Sequence, residues 1–175
     1  MIDDLCGQLS LGAITRTAFL EECARIACER VGCSRTGIWI FIDTAQGRKM
    51  RCLGIYDRAQ DVMLNVEDRT EHSAGPYFDE LERMGNVMAT DARTHPATRA
   101  FFDGSFADRG LASLMAAAFS LNGRLYGAFT CTQLHEQMAW SYRQLGILTK
   151  LGSRVTLALA GASTNQLDTL LGSLS

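Results

Sequence analysis

Proline occurs only at Pro76 and Pro96 in these 175 residues, and nowhere does it gather with glycine and serine into a linker. With no internal repeat or low-complexity tract either, the chain reads as one domain, long enough to bury a proper core. No apolar run approaches the ~20 residues that a membrane span requires. The opening Met1-Ile2-Asp3-Asp4 offers neither the basic nor the apolar region of a secretory signal, so a cytoplasmic protein is expected. Charge of one sign is also lacking. Seventeen basic against 19 acidic residues leave a net charge of −2, with the signs intermixed. That excludes the electrostatic footprint of a nucleic-acid or anionic-membrane binder.

Several chemistries are missing as well. Six cysteines are present (Cys6, Cys23, Cys28, Cys33, Cys52, Cys131), but no Cys-x-x-Cys. Neither a disulfide framework nor a thiolate metal site is predicted, and the thiols read as small buried hydrophobes. Cys23 and Cys28 lie ~140° apart around a helix, so they share no face. His72, His95 and His135 fall on separate elements, and His135-Glu136 lacks the second His of a zinc helix. Neither a Gly-x-x-x-x-Gly-Lys phosphate loop nor a Gly-x-Gly-x-x-Gly fingerprint occurs. No catalytic residue and no metal ligand is assigned on this basis.

What is present is a clear succession of elements. Ile2, Leu5, Cys6 and Leu9 repeat at i, i+3, i+4, i+7 and predict a first helix. A second spans about Thr17 to Val31, stopped by Gly32. Gly37 to Asp43 is apolar, β-branched and aromatic, hence a central strand covered on both faces. Met50 to Asp57 returns as its hairpin partner, and residues 61–66 make a short edge strand. Pro76 opens a helix to about Met84, Asn86 to Ala89 is a brief strand, and Pro96 opens a short helix ending near Gly104. Two apolar runs then flank Asn122-Gly123, a dipeptide suited to a two-residue type I′ hairpin turn. Ser141 with Gln144 forms a capping box for a long last helix, and Trp140 with Leu145 a hydrophobic staple. Leu148, Leu151, Val155 and Ala158 continue its apolar face. Leu167, Leu170, Leu171 and Leu174 repeat the narrow stripe of the first helix, a seam suited to a partner helix. The expected organisation is an N-terminal helix over 1–14, a domain over 15–160 and a C-terminal helix over 161–175. The two end segments are dimer seams or, at the C-terminus, a linker stub.

This order resembles that of a GAF domain, the small-molecule-binding sensor module of bacterial signalling proteins. The resemblance is carried by Gly37-Ile38-Trp39-Ile40-Phe41-Ile42-Asp43, Leu53-Gly54-Ile55-Tyr56-Asp57 and Tyr77-Phe78-Asp79-Glu80-Leu81. Asp91-Ala92 with His95-Pro96-Ala97-Thr98-Arg99-Ala100-Phe101, then Gly123-Arg124-Leu125-Tyr126-Gly127 and Trp140, complete it. It implies an α+β fold: a six-stranded antiparallel sheet with terminal helices on one face and short helices and loops closing a pocket on the other. It also implies that helices at the chain ends relay ligand state, often across a homodimer, to an effector domain or signalling partner. Features of several subfamilies are absent. Met115-Ala116-Ala117-Ala118-Phe119 and Thr130-Cys131-Thr132-Gln133 replace the acid, proline and Cys-x-Glu-His of related hairpins. The Asn-Lys-Phe-Asp-Glu signature of cyclic-nucleotide binders is absent, and no cysteine sits beside a His as in bilin-attaching members. The ligand and any cofactor are therefore left unidentified.

Pairing the hairpin symmetrically about Asn122-Gly123 sets Phe119 opposite Tyr126, Met115 opposite Thr130 and Ser113 opposite Thr132 on one face. That face combines hydroxyls, a phenol and a thioether, as binding pockets do. Ser113, Met115, Tyr126, Thr130 and Thr132 are accordingly assigned to the ligand. Tyr77, Phe78, Asp91, Arg93 and Phe102 are assigned from the segment 72–109 that should lie over it, which also carries Phe101 and Phe106. Two further readings stand beside the sensor. One is a ligand-free dimerisation module with its pocket filled by Met115 and the phenylalanines. The other is a thiol redox enzyme of the free methionine sulfoxide reductase kind, using Cys131 or Cys52.

Overall fold

A computed structural model describes residues 1–103 and 110–161. Phe106, Gly104 and the stripe Leu167–Leu174 lie outside the described residues. Two helices come first. α1 (Ile2–Ser10) and α2 (Arg16–Val31) are separated by a turn, and Thr15 caps α2 by accepting the Ala18 N–H at 3.1 Å. Gly32 ends α2 in the left-handed conformation (φ 78°) that its sequence position calls for.

The sheet is built from β1 (Arg35–Thr44), β2 (Gly47–Asp57), β3 (Val62–Leu64), β4 (Arg69–Thr70), β5 (Asn86–Ala89), β6 (Leu111–Leu121) and β7 (Arg124–Leu134). Six of them form a curled antiparallel sheet in the order β3-β2-β1-β7-β6-β5, and the two-residue β4, unforeseen in the sequence, pairs with β2. β1 is central between β2 and β7, as its continuous apolar run requires. Between β4 and β5 lies α3 (Glu71–Met84), and the chain of described residues ends in α4 (Tyr142–Gly161).

Two cores result. On one face, α1, α2 and α4 pack Leu9, Phe19, Leu20, Cys23, Leu148, Leu151 and Val155 against Ile38, Met115, Phe119, Phe129 and Cys131 of the sheet. On the other, α3 and the segment after β5 lay Tyr77, Phe78, Leu81 and Phe101 over Trp39, Met50, Leu114, Ala116 and Ala128. Ile2, Leu5 and Cys6 of α1 pack on the first core, so the N-terminal stripe is used within the chain. The α4 entry is as its sequence predicts. Ser141 Oγ accepts the Gln144 N–H at 3.2 Å, and Gln144 Oε1 accepts the Ser141 N–H at 2.9 Å. Trp140, buried on that core, donates its indole N–H to Ala89 O at 3.1 Å.

Three local expectations are corrected. α3 begins before Pro76, with a first turn capped from Thr70, and leaves helical geometry at Ala74 (φ −141°). Pro76 then sits in the first turn of the continuous stretch, where its missing N–H costs nothing. Pro96 opens turns rather than a helix; the helical piece is a 3₁₀ segment, Arg99–Asp103. The third correction is the largest. The hairpin turn is as read, with Asn122 and Gly123 both at positive φ (52° and 76°). Yet pairing runs Ser120 with Leu125 and then Phe119 with Gly127, leaving Tyr126 as an extra residue. A bulge adds one residue to one strand and advances the register by one beyond it. Met115 therefore faces Cys131 rather than Thr130, and Ala116 pairs with Thr130.

Candidate functional site

The bulge decides which side chains the hairpin shows to each core. Because alternate residues point to opposite faces, Ser113, Met115, Ala117 and Phe119 fall on one face, Leu114, Ala116 and Ala118 on the other. Met115 and Phe119 go to the helices, where Phe119 meets Phe129 at a ring distance of 5.9 Å. Tyr126 is half-buried against the same helix-side core. Ser113 is buried and spent on the backbone: it donates to Thr90 O at 2.5 Å and accepts the Met138 N–H at 2.7 Å. Thr130 and Thr132, from β7, face the other way.

There they line a cavity of about 70 Å³ between the sheet and α3. Its walls are Trp39 and Gly37 of β1, Met50 and Ile55 of β2, Leu64 of β3, Val66, Leu111 and Leu114 of β6, and Phe101. Arg35 and Arg69 stand at its edge, and Tyr77 completes it from α3. Small residues make room: a Cβ on Gly37 would lie 2.8 Å from Thr130 Oγ1 and 2.9 Å from Trp39 Nε1.

Most polar groups at the cavity are already committed. Trp39 Nε1 donates to Thr130 Oγ1 at 3.0 Å, and that hydroxyl donates to Gly37 O at 3.5 Å. Arg35 Nε donates to the buried Asp57 carboxylate at 2.5 Å. Tyr77 is different. Its ring packs on Phe101 at 5.2 Å with 1% of the residue exposed, and its hydroxyl has no hydrogen-bond partner. Burial alone drives its pKa upward, so the phenol stays protonated.

The remaining sequence-assigned residues do not meet here. Phe78, one residue beyond Tyr77, turns to Phe41 (5.5 Å, edge-on) and carries the Arg48 guanidinium over its ring at 5.2 Å. Arg48 in turn is ringed by Glu71, Asp79 and Glu82. Asp91 accepts the Arg93 N–H at 3.0 Å, and Arg93 lies 5.0 Å over Phe102. These three form a surface cluster of their own. Of the ten assigned residues the cavity gathers Tyr77, Thr130 and Thr132. Arg35, the first residue of β1, and Arg69, in the unforeseen β4, were not singled out from the sequence. The only signal available was their position beside the apolar runs that form the walls.

The thiols form a separate buried group. Cys28 Sγ lies 3.8 Å from Cys33 Sγ, which lies 3.4 Å from Thr36 Oγ1; Thr36 in turn lies 3.5 Å from Cys131 Sγ. All are on the helix side, away from the cavity. The Cys33 thiol is pushed up to about 12, first by its hydrogen bond with Cys131 and then by burial; burial pushes Cys23 up to about 12. Such thiols stay protonated at neutral pH and are poor nucleophiles. Among the described residues no group of His, Cys, Asp and Glu side chains could hold a metal ion. No helix among them is long and apolar enough to cross a membrane.

Comparison with known proteins agrees with this architecture. No curated protein matches the sequence. A phycoerythrobilin-bound GAF domain from a cyanobacterial phytochrome superposes with a TM-score of 0.70 at 12% identity, covering 92% of this chain and 95% of that one. The GAF domain of a phosphoenolpyruvate-protein phosphotransferase from Coxiella burnetii gives 0.67 at 14% identity, covering 95% and 96%. The free methionine-R-sulfoxide reductase of Neisseria meningitidis, solved with its substrate, gives 0.64 at 13%, covering 91% and 89%. Identities this low speak for the fold alone. The family model for the GAF domain, however, matches residues 15–159, and this chain belongs to the GAF domain family.

Proposed function

We propose that this chain is a sensory GAF domain that takes a small molecule into the cavity between sheet and α3 and relays occupancy through its terminal helices. The observation that carries the reading is the Tyr77 hydroxyl, buried without a partner at the wall of that cavity. Leaving such a group unsatisfied costs ~1–3 kcal/mol, and a bound molecule that accepts its hydrogen bond recovers that cost. The cavity also argues against the ligand-free module, because Met115 packs on the helix side instead of filling it. At about 70 Å³ it is far below the ~300–1,000 Å³ of drug-sized sites. No cysteine lines it, so a ligand held covalently through a cysteine sulfur has no anchor there.

The relay needs little distance. On β7, Thr130 faces the cavity while its neighbours Phe129 and Cys131 face the helices. Gly152 of α4 approaches Phe119 and Phe129 closely enough that an added Cβ would touch both, at 3.5 and 3.8 Å. A ligand shifts α4 only so far as it binds its two positions with different affinity. The reading extends to a cytoplasmic homodimer acting on an effector domain or signalling partner. Native mass spectrometry of the freshly purified chain tests the core of it: extra mass that leaves on denaturation is expected. A clean apo protein with no thermal shift from any metabolite library would remove the ligand and leave the dimerisation module.

A further inference from the structure

We infer that the cavity is built for a small uncharged carbonyl compound, an aldehyde of about three non-hydrogen atoms with one acceptor oxygen and a hydrocarbon end. This rests on the cavity being a ligand site.

Size sets the limit. A cavity of ~150 Å³ takes benzene, so about 70 Å³ takes about three non-hydrogen atoms in proportion. Nucleotides and amino acids are excluded by volume alone. An anion that small has no hydrocarbon body. A carboxylate of this size is formate, and it would give up its hydration to sit among Met50, Ile55, Leu64, Val66, Leu111 and Leu114. Arg35 stands at the edge, with its Nε on the Asp57 carboxylate. The aliphatic walls suit the hydrocarbon end of a neutral guest.

Hydrogen-bond capacity chooses the polar end. Tyr77 brings a buried donor with no acceptor, and burial keeps it protonated. The Trp39 N–H donates to Thr130 Oγ1, whose own proton goes to Gly37 O. That chain is closed and asks nothing of a guest. A carbonyl oxygen accepts from Tyr77 and needs no further partner. An alcohol of the same size accepts equally well, but it brings a proton of its own to a wall whose hydroxyl chain is complete. A protonated amine brings donors only and leaves the Tyr77 proton as it was. Water is a poor occupant for the same reason, because a buried water is held by ~2–4 polar partners.

The test follows the methyl NMR signals of Met50, Ile55, Leu64 and Leu111 in the full chain as acetaldehyde, ethanol, formate or propane is added. The series is repeated on Tyr77→Phe. These probes match in non-hydrogen atoms and differ in hydrogen-bonding groups. Acetaldehyde is expected to shift the methyls, reversibly on buffer exchange and with no added covalent mass. Ethanol and formate are expected to bind about fivefold more weakly or worse. Tyr77→Phe should weaken acetaldehyde about fivefold or more, and should not weaken propane, which has no acceptor. Ethanol or formate binding as well as acetaldehyde overturns the proposal. So does acetaldehyde binding that Tyr77→Phe leaves undiminished, or a shift that comes only with a covalent adduct. Propane separates the two levels of failure. If propane enters and acetaldehyde does not, the ligand class is wrong and the cavity stands. If neither enters, the site itself is refuted.

Discussion

Tyr77→Phe should make the unliganded protein more stable. The ring is 1% exposed and packed 5.2 Å from Phe101, contacts that phenylalanine retains. What disappears is a hydroxyl with no hydrogen-bond partner, whose burial costs ~1–3 kcal/mol. Against that gain stands a larger cavity. Losing the oxygen adds roughly half a water's ~30 Å³, which at ~24 cal/mol per Å³ costs about 0.4 kcal/mol. The net expectation is a gain of about 1–2 kcal/mol, or about 2–8 °C in Tm for a chain of this size. Urea denaturation at pH 7 reads the free energy directly. A second limb of the prediction concerns pH. Burial raises the folded pKa of Tyr77 above the ~10 of an unfolded tyrosine. The folded state therefore keeps a proton that the unfolded state releases, and stability falls as pH rises above about 10. The phenylalanine variant lacks this term, so its advantage should widen there. A loss of 1 kcal/mol or more at pH 7 would show that the hydroxyl has a partner in the unliganded protein, and the reasoning would be refuted.

The buried thiols should give a steep alkaline limb of their own. Cys23 and Cys33 are held up to about 12 when folded but titrate near 8.5 when unfolded, so between about pH 9 and 12 the unfolded state binds fewer protons. Stability should fall by roughly 3 kcal/mol per pH unit for the pair; a flat profile to pH 11 by equilibrium denaturation would contradict their burial. Gly127→Ala should be among the most damaging single methyl additions, because the new Cβ would stand 2.1 Å from Trp39 O and 2.6 Å from the Phe119 ring. A loss of about 3 kcal/mol or more is expected, and a wild-type Tm would mean that β1 and β7 part easily. Ser141→Ala removes the acceptor for the Gln144 N–H and should cost about 1 kcal/mol, read as a Tm drop with an unchanged denaturant slope.

The elements were legible because most of them obey one period without conflict. The apolar stripe of α2 repeats with the helical turn, its Gly32 stop adopts the φ that stop requires, and Gly37 to Asp43 is too apolar to be anything but central. The hairpin was legible only as far as its turn. Beyond it, Ala116, Ala117 and Ala118 suit either face of a strand. The sequence thus carries no penalty for a one-residue shift, and a symmetric reading slides past the bulge at Tyr126. That one residue turns Ser113 and Met115 away from the cavity and leaves Thr130 and Thr132 on its wall. Phe78, Asp91, Arg93 and Phe102 lie away from the cavity for another reason: lying in a segment over the sheet does not say which side chains reach it, and α3 turns neighbours Tyr77 and Phe78 to different places.

Irregularity in the sheet decides which side chains reach the cavity. β2 carries a second bulge where Ile38 pairs with Gly54 and Trp39 with Cys52, leaving Leu53 extra. Strict alternation would put Met50 and Tyr56, six residues apart, on the same face. Instead Met50 lines the cavity while Tyr56 joins the helix-side core, where it meets Arg25. These two bulges lie on the strands that flank β1, a third leaves Ala112 of β6 extra between Leu111 and Ser113, and β1 itself keeps its alternation, with Ile38 to the helices and Trp39 to the cavity. Bulges bend and twist the strand that holds them, and a pair on either side of a straight central strand curls the sheet around it. The hollow over Trp39 and Gly37 is where that curl leaves the lid too little side-chain volume to close. A flat, regular sheet of the same composition would put Met50 and Tyr56 on one face, and the cavity would lose the wall that Met50 gives it.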